Sequence, residues 1–191
     1  MKKRVGVLIS GTGSNMKALV AASHQPGAPF EIVCVASNRA DADGIVWARE
    51  NGINAQVINH KDFASREAFD AALNDYLQTQ SLDLIACAGF MRLMTQVLIT
   101  PWQGKMLNIH PSLLPLYKGL HTHARAIAAG DKEAGCSVHL VTAELDGGPV
   151  IAQAKVPILK GDTPVTLAAR VLVEEHRLYP ATLTTFAKGL I

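Results

Sequence analysis

Short apolar runs alternate with amphipathic stretches along nearly the whole chain, and that alternation restricts the fold to the α/β class. Val5–Ile9 reads as a buried strand, with further strands at Glu31–Ala36, Ala55–Ile58, Leu82–Ala86 and Lys105–Ile109. Helices are expected between them, near Asn15–Ala22, Gly44–Glu50, Ser65–Gln80 and Thr95–Trp102. In the third, Ser65 suits an N-cap, and Phe69, Leu73 and Leu77 recur at every fourth position. Strands separated by helices imply a mostly parallel, Rossmann-like sheet flanked by helices. Later, Gly135–Val141 and Val150–Val156 bracket the turn Glu144-Leu145-Asp146-Gly147-Gly148-Pro149 and are expected to pair antiparallel. Asp162-Thr163-Pro164 opens a last helix that should reach about Tyr179, where Pro180 should kink or end it.

The chain has 191 residues, 49% hydrophobic and 18% charged, enough for one full core and far from a disordered composition. With no repeat or linker in view, residues 1–191 are expected to form a single domain. A formal charge of +2 argues against a nucleic-acid or membrane partner, while leaving room for one phosphate. Cys34, Cys87 and Cys136 are scattered and form no C-x-x-C pair, which suits a reducing cytosol better than a disulfide framework. The apolar run after the basic start ends at Ser10-Gly11, too short for a secretory signal, so a cytoplasmic location is expected.

Three features carry chemistry. Gly11-Thr12-Gly13-Ser14-Asn15 lies between the first strand and the first helix, where backbone N–H groups can cradle an anion. It lacks the Gly-Lys-Ser/Thr of a Walker loop, and Met16 stands in place of the third dinucleotide glycine. By itself it reads equally as a phosphate loop or as a tight strand-to-helix turn.

The second feature is Asn108-Ile109-His110-Pro111-Ser112-Leu113-Leu114-Pro115. Alternate strand residues share a face, so Asn108 and His110 project the same way, at the carboxyl end of a strand. An amide donor beside an imidazole suits a reaction in which a carbonyl oxygen gains charge. The third feature is Asp146, a carboxylate that would raise the pKa of His110 and favour imidazolium if it lay alongside. Its Asp-Gly setting is equally that of an ordinary turn residue.

Other histidines read less specifically. His121 and His123 resemble half a metal site, but no third ligand stands at a diagnostic spacing, so no metal is expected. His24, His60 and His139 read as surface or packing residues. Phe90-Met91-Arg92-Leu93-Met94 suits either loop packing or the wall of a flat, partly apolar pocket.

Taken together, these segments resemble the phosphoribosylglycinamide formyltransferase family of the folate-dependent purine pathway. The resemblance runs in order through Leu8–Asn15, Ala88–Arg92, Leu107–Pro115, Gly119–His123 and Glu144–Ile151. It implies the formyltransferase fold, with a nucleotide-binding N-terminal part and a folate-binding C-terminal part. The activity implied is transfer of the formyl group of 10-formyltetrahydrofolate to the primary amine of glycinamide ribonucleotide. Both partners would be small molecules, and the protein a monomer or homodimer.

By the same resemblance Asn108, His110 and Asp146 are catalytic, while Gly13, Ser14, Asn15 and Glu175 bind the ribonucleotide. Arg66, Met91, Arg92, Leu93 and Met94 would hold the folate, together with Asn108, Thr142, Ala143, Glu144 and Asp146. The chain departs from the family at Leu116 and Lys118, which often are lysine and proline, and at Leu172, which in some members is polar. Methionyl-tRNA formyltransferases share the Asn-x-His-Pro-Ser-Leu-Leu-Pro run, but lack this glycine loop and normally carry an RNA-binding domain.

Overall fold

A computed structural model describes residues 1–190. Seven strands form one sheet: β1 (Lys3–Ile9), β2 (Phe30–Ser37), β3 (Asn54–Val57), β4 (Leu84–Cys87), β5 (Met106–His110), β6 (Glu133–Leu140) and β7 (Val150–Pro157). Six helices accompany it: α1 (Ser14–Ser23), α2 (Asp43–Glu50), α3 (Arg66–Thr79), α4 (Gln96–Ile99), α5 (Thr122–Ala129) and α6 (Pro164–Ala187). The strand order is β3-β2-β1-β4-β5-β6-β7. The first five strands pair parallel, and β6 and β7 join antiparallel.

Chain order reverses between β1 and β4, the place where open α/β sheets form a ligand crevice at their carboxyl ends. The loops leaving β1, β4 and β5 all emerge at that edge. They are the glycine loop, the Ala88–Met94 segment and the Pro111–His121 segment.

Each strand sorts its side chains by alternation. Val5, Val7 and Ile9 of β1, with Leu107 and Ile109 of β5 and Val138 of β6, pack against α1, α2 and α6. Leu8, Ile85, Cys87 and Met106 face the other way, under Phe69, Leu73 and Leu77 of α3 and Leu98 of α4. Asn108, His110, Ser137 and His139 therefore point away from α6, beyond the apolar cover supplied by α3 and α4.

The caps follow local chemistry. Ser65 Oγ accepts the Ala68 N–H at 3.1 Å to open α3. Thr163 and Thr166 form a reciprocal capping box at the start of α6, with Pro164 in the first turn. α5 has no strong sequence signal, and it starts from His121 in the left-handed region, at φ 58°.

One expectation fails. Pro180 does not end α6, which continues through it to Ala187. A proline inside a helix costs about 3 kcal/mol, because it removes an N–H and crowds the carbonyl four residues back. Beyond it Thr182, Leu183 and Ala187 are buried, and Tyr179 just before it is fully buried. Each large apolar side chain buried returns about 1.5–3 kcal/mol, so Leu183, together with Phe186 packed partly against the same core, offsets the lost bond. The Tyr179 hydroxyl also reaches the carbonyls of Cys87 and Leu107, each at 3.1 Å, and so ties the helix to the sheet.

Candidate active site

The candidate reaction centre is assembled from two strands and one turn. In the β5–β6 register Asn108 stands opposite His139, and His110 opposite Ser137. The antiparallel pairing puts His139 on the same face as the two predicted residues. His139 Nδ1 lies 2.9 Å from the Leu140 carbonyl, an oxygen that can only accept, so this nitrogen carries the proton. Nε2 is then a lone pair, and it accepts the Asn108 amide N–H at 3.1 Å. The amide keeps a second N–H for another acceptor.

Asp146 reaches this pair through its turn. It sits in the left-handed region at φ 49°, and the two glycines after it let the turn fold down onto the end of β6. A Cβ at Gly148 would lie 1.9 Å from the Leu140 carbonyl oxygen, so only glycine fits there. Asp146 Oδ2 accepts the Gly119 N–H at 2.9 Å and lies 3.4 Å from His110 Nδ1. Its Oδ1 lies 3.6 Å from His139 Nε2. All three side chains are more than nine-tenths buried.

The predicted proximity of Asp146 and His110 is thus realised, but its expected effect on His110 is not. Burial pushes the His110 pKa down from its ordinary value. The Tyr117 carbonyl and the Asp146 carboxylate push it up, and His139 and Arg125 push it down again. Burial prevails, so the resting imidazole is neutral at pH 7. Nε2 donates to the Tyr117 carbonyl at 3.0 Å, which leaves Nδ1 as the basic nitrogen, facing Asp146. Burial alone would raise the Asp146 carboxyl. A hydrogen bond from the His139 ring and the positive charge of both rings, when protonated, together with the Gly119 N–H, outweigh it and hold the group below the usual carboxylate range.

A cleft of about 100 Å³ opens beside this centre. Of the predicted folate residues, Arg92, Leu93, Met94, Asn108, Thr142, Ala143, Glu144 and Asp146 line it, with Phe90, Val141 and His139. Arg66 and Met91 do not. Arg66 opens α3 with its side chain in solvent, and the Met91 side chain is 69% exposed while its backbone turns inward to Ser10.

The glycine loop forms a second polar locus. Gly13 is the N-cap of α1 at φ 70°, and no side chain caps the helix. No acidic residue occupies the first turn either, so the helix itself supplies nothing to compensate its positive end. Asn15 Nδ2 donates to Glu175 Oε2 at 2.6 Å across 160 residues, and both groups are buried. Asn15 Oδ1 has no protein partner. Burial raises the Glu175 pKa, and the Asn15 amide opposes that rise.

The site residue missed by sequence reasoning is His139. Its own strand shows nothing unusual, and only its register against Asn108 reveals the role. Among the described residues no group of three or more histidine, cysteine or acidic side chains is arranged to hold a metal ion. None of the described helices is long and apolar enough to cross a membrane.

A switch-point sheet with an amide, two imidazoles and a carboxylate beside a cleft defines an acyl-transfer type of centre, and the formyl transferase family pattern matches residues 3–183. The phosphoribosylglycinamide formyltransferase of Haemophilus influenzae is 44% identical over 98% of this chain and 88% of its own length. The Escherichia coli protein of that name is 46% identical over 96% of this chain and 86% of its own. A crystal structure of the phosphoribosylglycinamide formyltransferase of Brucella melitensis is 54% identical, with a TM-score of 0.94 over 100% of this chain and 98% of that one. The trifunctional purine biosynthetic protein adenosine-3 of Bos taurus is 45% identical over the whole chain, which spans 19% of that longer protein. The chain belongs to the phosphoribosylglycinamide formyltransferase branch of the formyl transferase family.

Proposed function

We propose that this protein transfers the formyl group of 10-formyltetrahydrofolate to the primary amine of glycinamide ribonucleotide, in de novo purine biosynthesis. The observation that carries the reading is the convergence of Asn108, His139 and Asp146 at the cleft lined by Arg92–Met94 and Val141–Asp146, with His110 against Asp146 at its edge. Apolar walls with polar groups at one end suit a flat heterocycle whose reactive arm points at the polar end. The ribonucleotide phosphate is assigned to the open N-terminus of α1 at Gly13, Ser14 and Asn15, and Glu175, bonded to Asn15, to the same substrate beside that loop. In this division the nucleotide site joins the N-terminal glycine loop to Glu175 of α6, and the folate site joins Arg92–Met94 to the Val141–Asp146 turn of the same domain.

The amine lone pair attacks the formyl carbon, and the carbonyl π pair moves onto oxygen. The free Asn108 N–H donates to that oxyanion. His110, neutral at rest, takes the proton that the attacking amine must lose and becomes an imidazolium steadied by Asp146. The proton then passes to N10 of the folate as the C–N10 bond breaks. Formylated ribonucleotide and tetrahydrofolate leave.

The test is a single assay in which purified protein meets 10-formyltetrahydrofolate with glycinamide ribonucleotide, with an aminoacyl-tRNA, or with water alone. Formylation of the ribonucleotide only is the expected result. Formate release or tRNA formylation at a comparable rate would refute it. Within that assay Asn108→Ala should lower turnover by about 10²–10³, the usual cost of an oxyanion donor.

A further inference from the structure

Away from the reaction centre, one buried hydroxyl joins the ends of three strands. Ser10 follows β1 directly and is 5% exposed; Asn38 follows β2 directly and is 2% exposed. Ser10 Oγ donates to Asn38 Oδ1 at 2.5 Å and accepts the Met91 backbone N–H at 2.7 Å. The Ser10 N–H donates to the Gly89 carbonyl at 3.0 Å, so the link to the segment after β4 is double. Asn38 is itself held, because its carbonyl accepts from the His60 ring at 2.8 Å and from the His60 backbone N–H at 3.2 Å.

Ser10 is the residue before the glycine loop, and Met91 is the residue before Arg92, Leu93 and Met94 of the cleft wall. A hydroxyl can donate once while accepting; here it accepts from the Met91 segment, which bridges those two segments, and its donated proton fixes the hydroxyl on Asn38. We infer that Ser10, held by Asn38, is a positioning residue that sets the spacing between the ribonucleotide loop and the folate wall. It thereby sets the approach of amine to formyl carbon. This rests on the two-substrate reading above. Each half-site keeps its own contacts when the bridge is cut, so the cost falls on alignment and not on either binding step.

The test is Ser10→Ala and Asn38→Ala in the full chain, with Kd measured for each substrate separately, along with kcat and Tm. Each Kd should stay within about threefold, while kcat falls by about 10- to 100-fold, the scale on which small misplacement of reactants costs rate. Because both substitutions remove the same Ser10 Oγ–Asn38 Oδ1 bond, the double variant should be little worse than the worse single one. Ser10→Thr, which keeps the hydroxyl, should recover most of kcat.

A folded Ser10→Ala protein with kcat within twofold of wild type would overturn the inference, as would a loss confined to the Kd of one substrate. If Ser10→Ala does not fold, Asn38→Ala decides by the same criteria. Wild-type protein that fails to formylate the ribonucleotide would instead refute the function proposed above.

Discussion

His139 Nε2 accepts the side-chain amide of Asn108 at 3.1 Å, so the second imidazole of the site orients the group assigned to the oxyanion. The Leu140 carbonyl, 2.9 Å from Nδ1, keeps the ring in the tautomer that accepts. His139→Ala removes the acceptor and frees the amide to rotate. Turnover should fall by about 10- to 100-fold, less than the 10²–10³ expected for deleting the donor itself. KM for both substrates should change little, and steady-state kinetics on the variant measure the split.

The buried, neutral state of His110 predicts an acid limit to catalysis. A histidine whose folded pKa lies below its ordinary value of about 6.5 loads its proton only in more acidic solution. Its proton-accepting form therefore persists at neutral pH and is lost as pH falls below that value. The sign for stability is the same: protonating the buried ring costs free energy, so Tm should fall with acidification. A pH profile of kcat/KM should show the limb below about 6.5, set by this histidine. A His110 ring that titrates above 7 in the free protein, followed by NMR, would contradict the neutral resting state.

Glu175 trades stability against binding. Its raised pKa reflects burial, which disfavours the charged carboxylate, with the Asn15 amide as its opposing protein donor. Glu175→Gln keeps an oxygen to accept that N–H and removes any need to hold a charge in the buried site. Tm at pH 7 should hold or rise. Binding of glycinamide ribonucleotide should weaken by about 10- to 100-fold, as hydrogen bonds to charged groups contribute about 1.5–3 kcal/mol. Calorimetric titration with each substrate, beside a melting curve, separates the two effects.

The glycine loop offers a contrast within three residues. At Gly13 the backbone is left-handed at φ 70°, and a Cβ would lie 2.9 Å from Met16 Cε and 3.2 Å from Gly44 Cα. Gly13→Ala should lower stability by about 1–2 kcal/mol, the cost of an L side chain in that region. At Gly11 a Cβ meets nothing within 4 Å, so Gly11→Ala should leave Tm close to wild type. Denaturant unfolding of the two variants reads the difference directly.

Much of this architecture was legible from short-range pattern. Strands, helix starts at Ser65 and Thr163, and the antiparallel return of β6 and β7 all follow from periodicity and turn chemistry. The shared face of Asn108 and His110 needs only the two-residue repeat of a strand. Where the pattern misled, a long-range sum overruled a local rule. Pro180 fits inside α6 because Tyr179, Thr182 and Leu183 bury their side chains on either side of it.

The sequence by itself determined the elements, the glycine turns and the positions able to carry acyl-transfer chemistry, since these depend on neighbours a few residues apart. Tertiary structure decided which of them act together. The register that sets His139 against Asn108, the close approach of Gly148 that delivers Asp146 to His110, and the Asn15–Glu175 bond each join segments far apart in the chain. It also decided the charge of His110. Desolvation depends on everything packed around a group, and here it exceeds the pull of the carboxylate beside it.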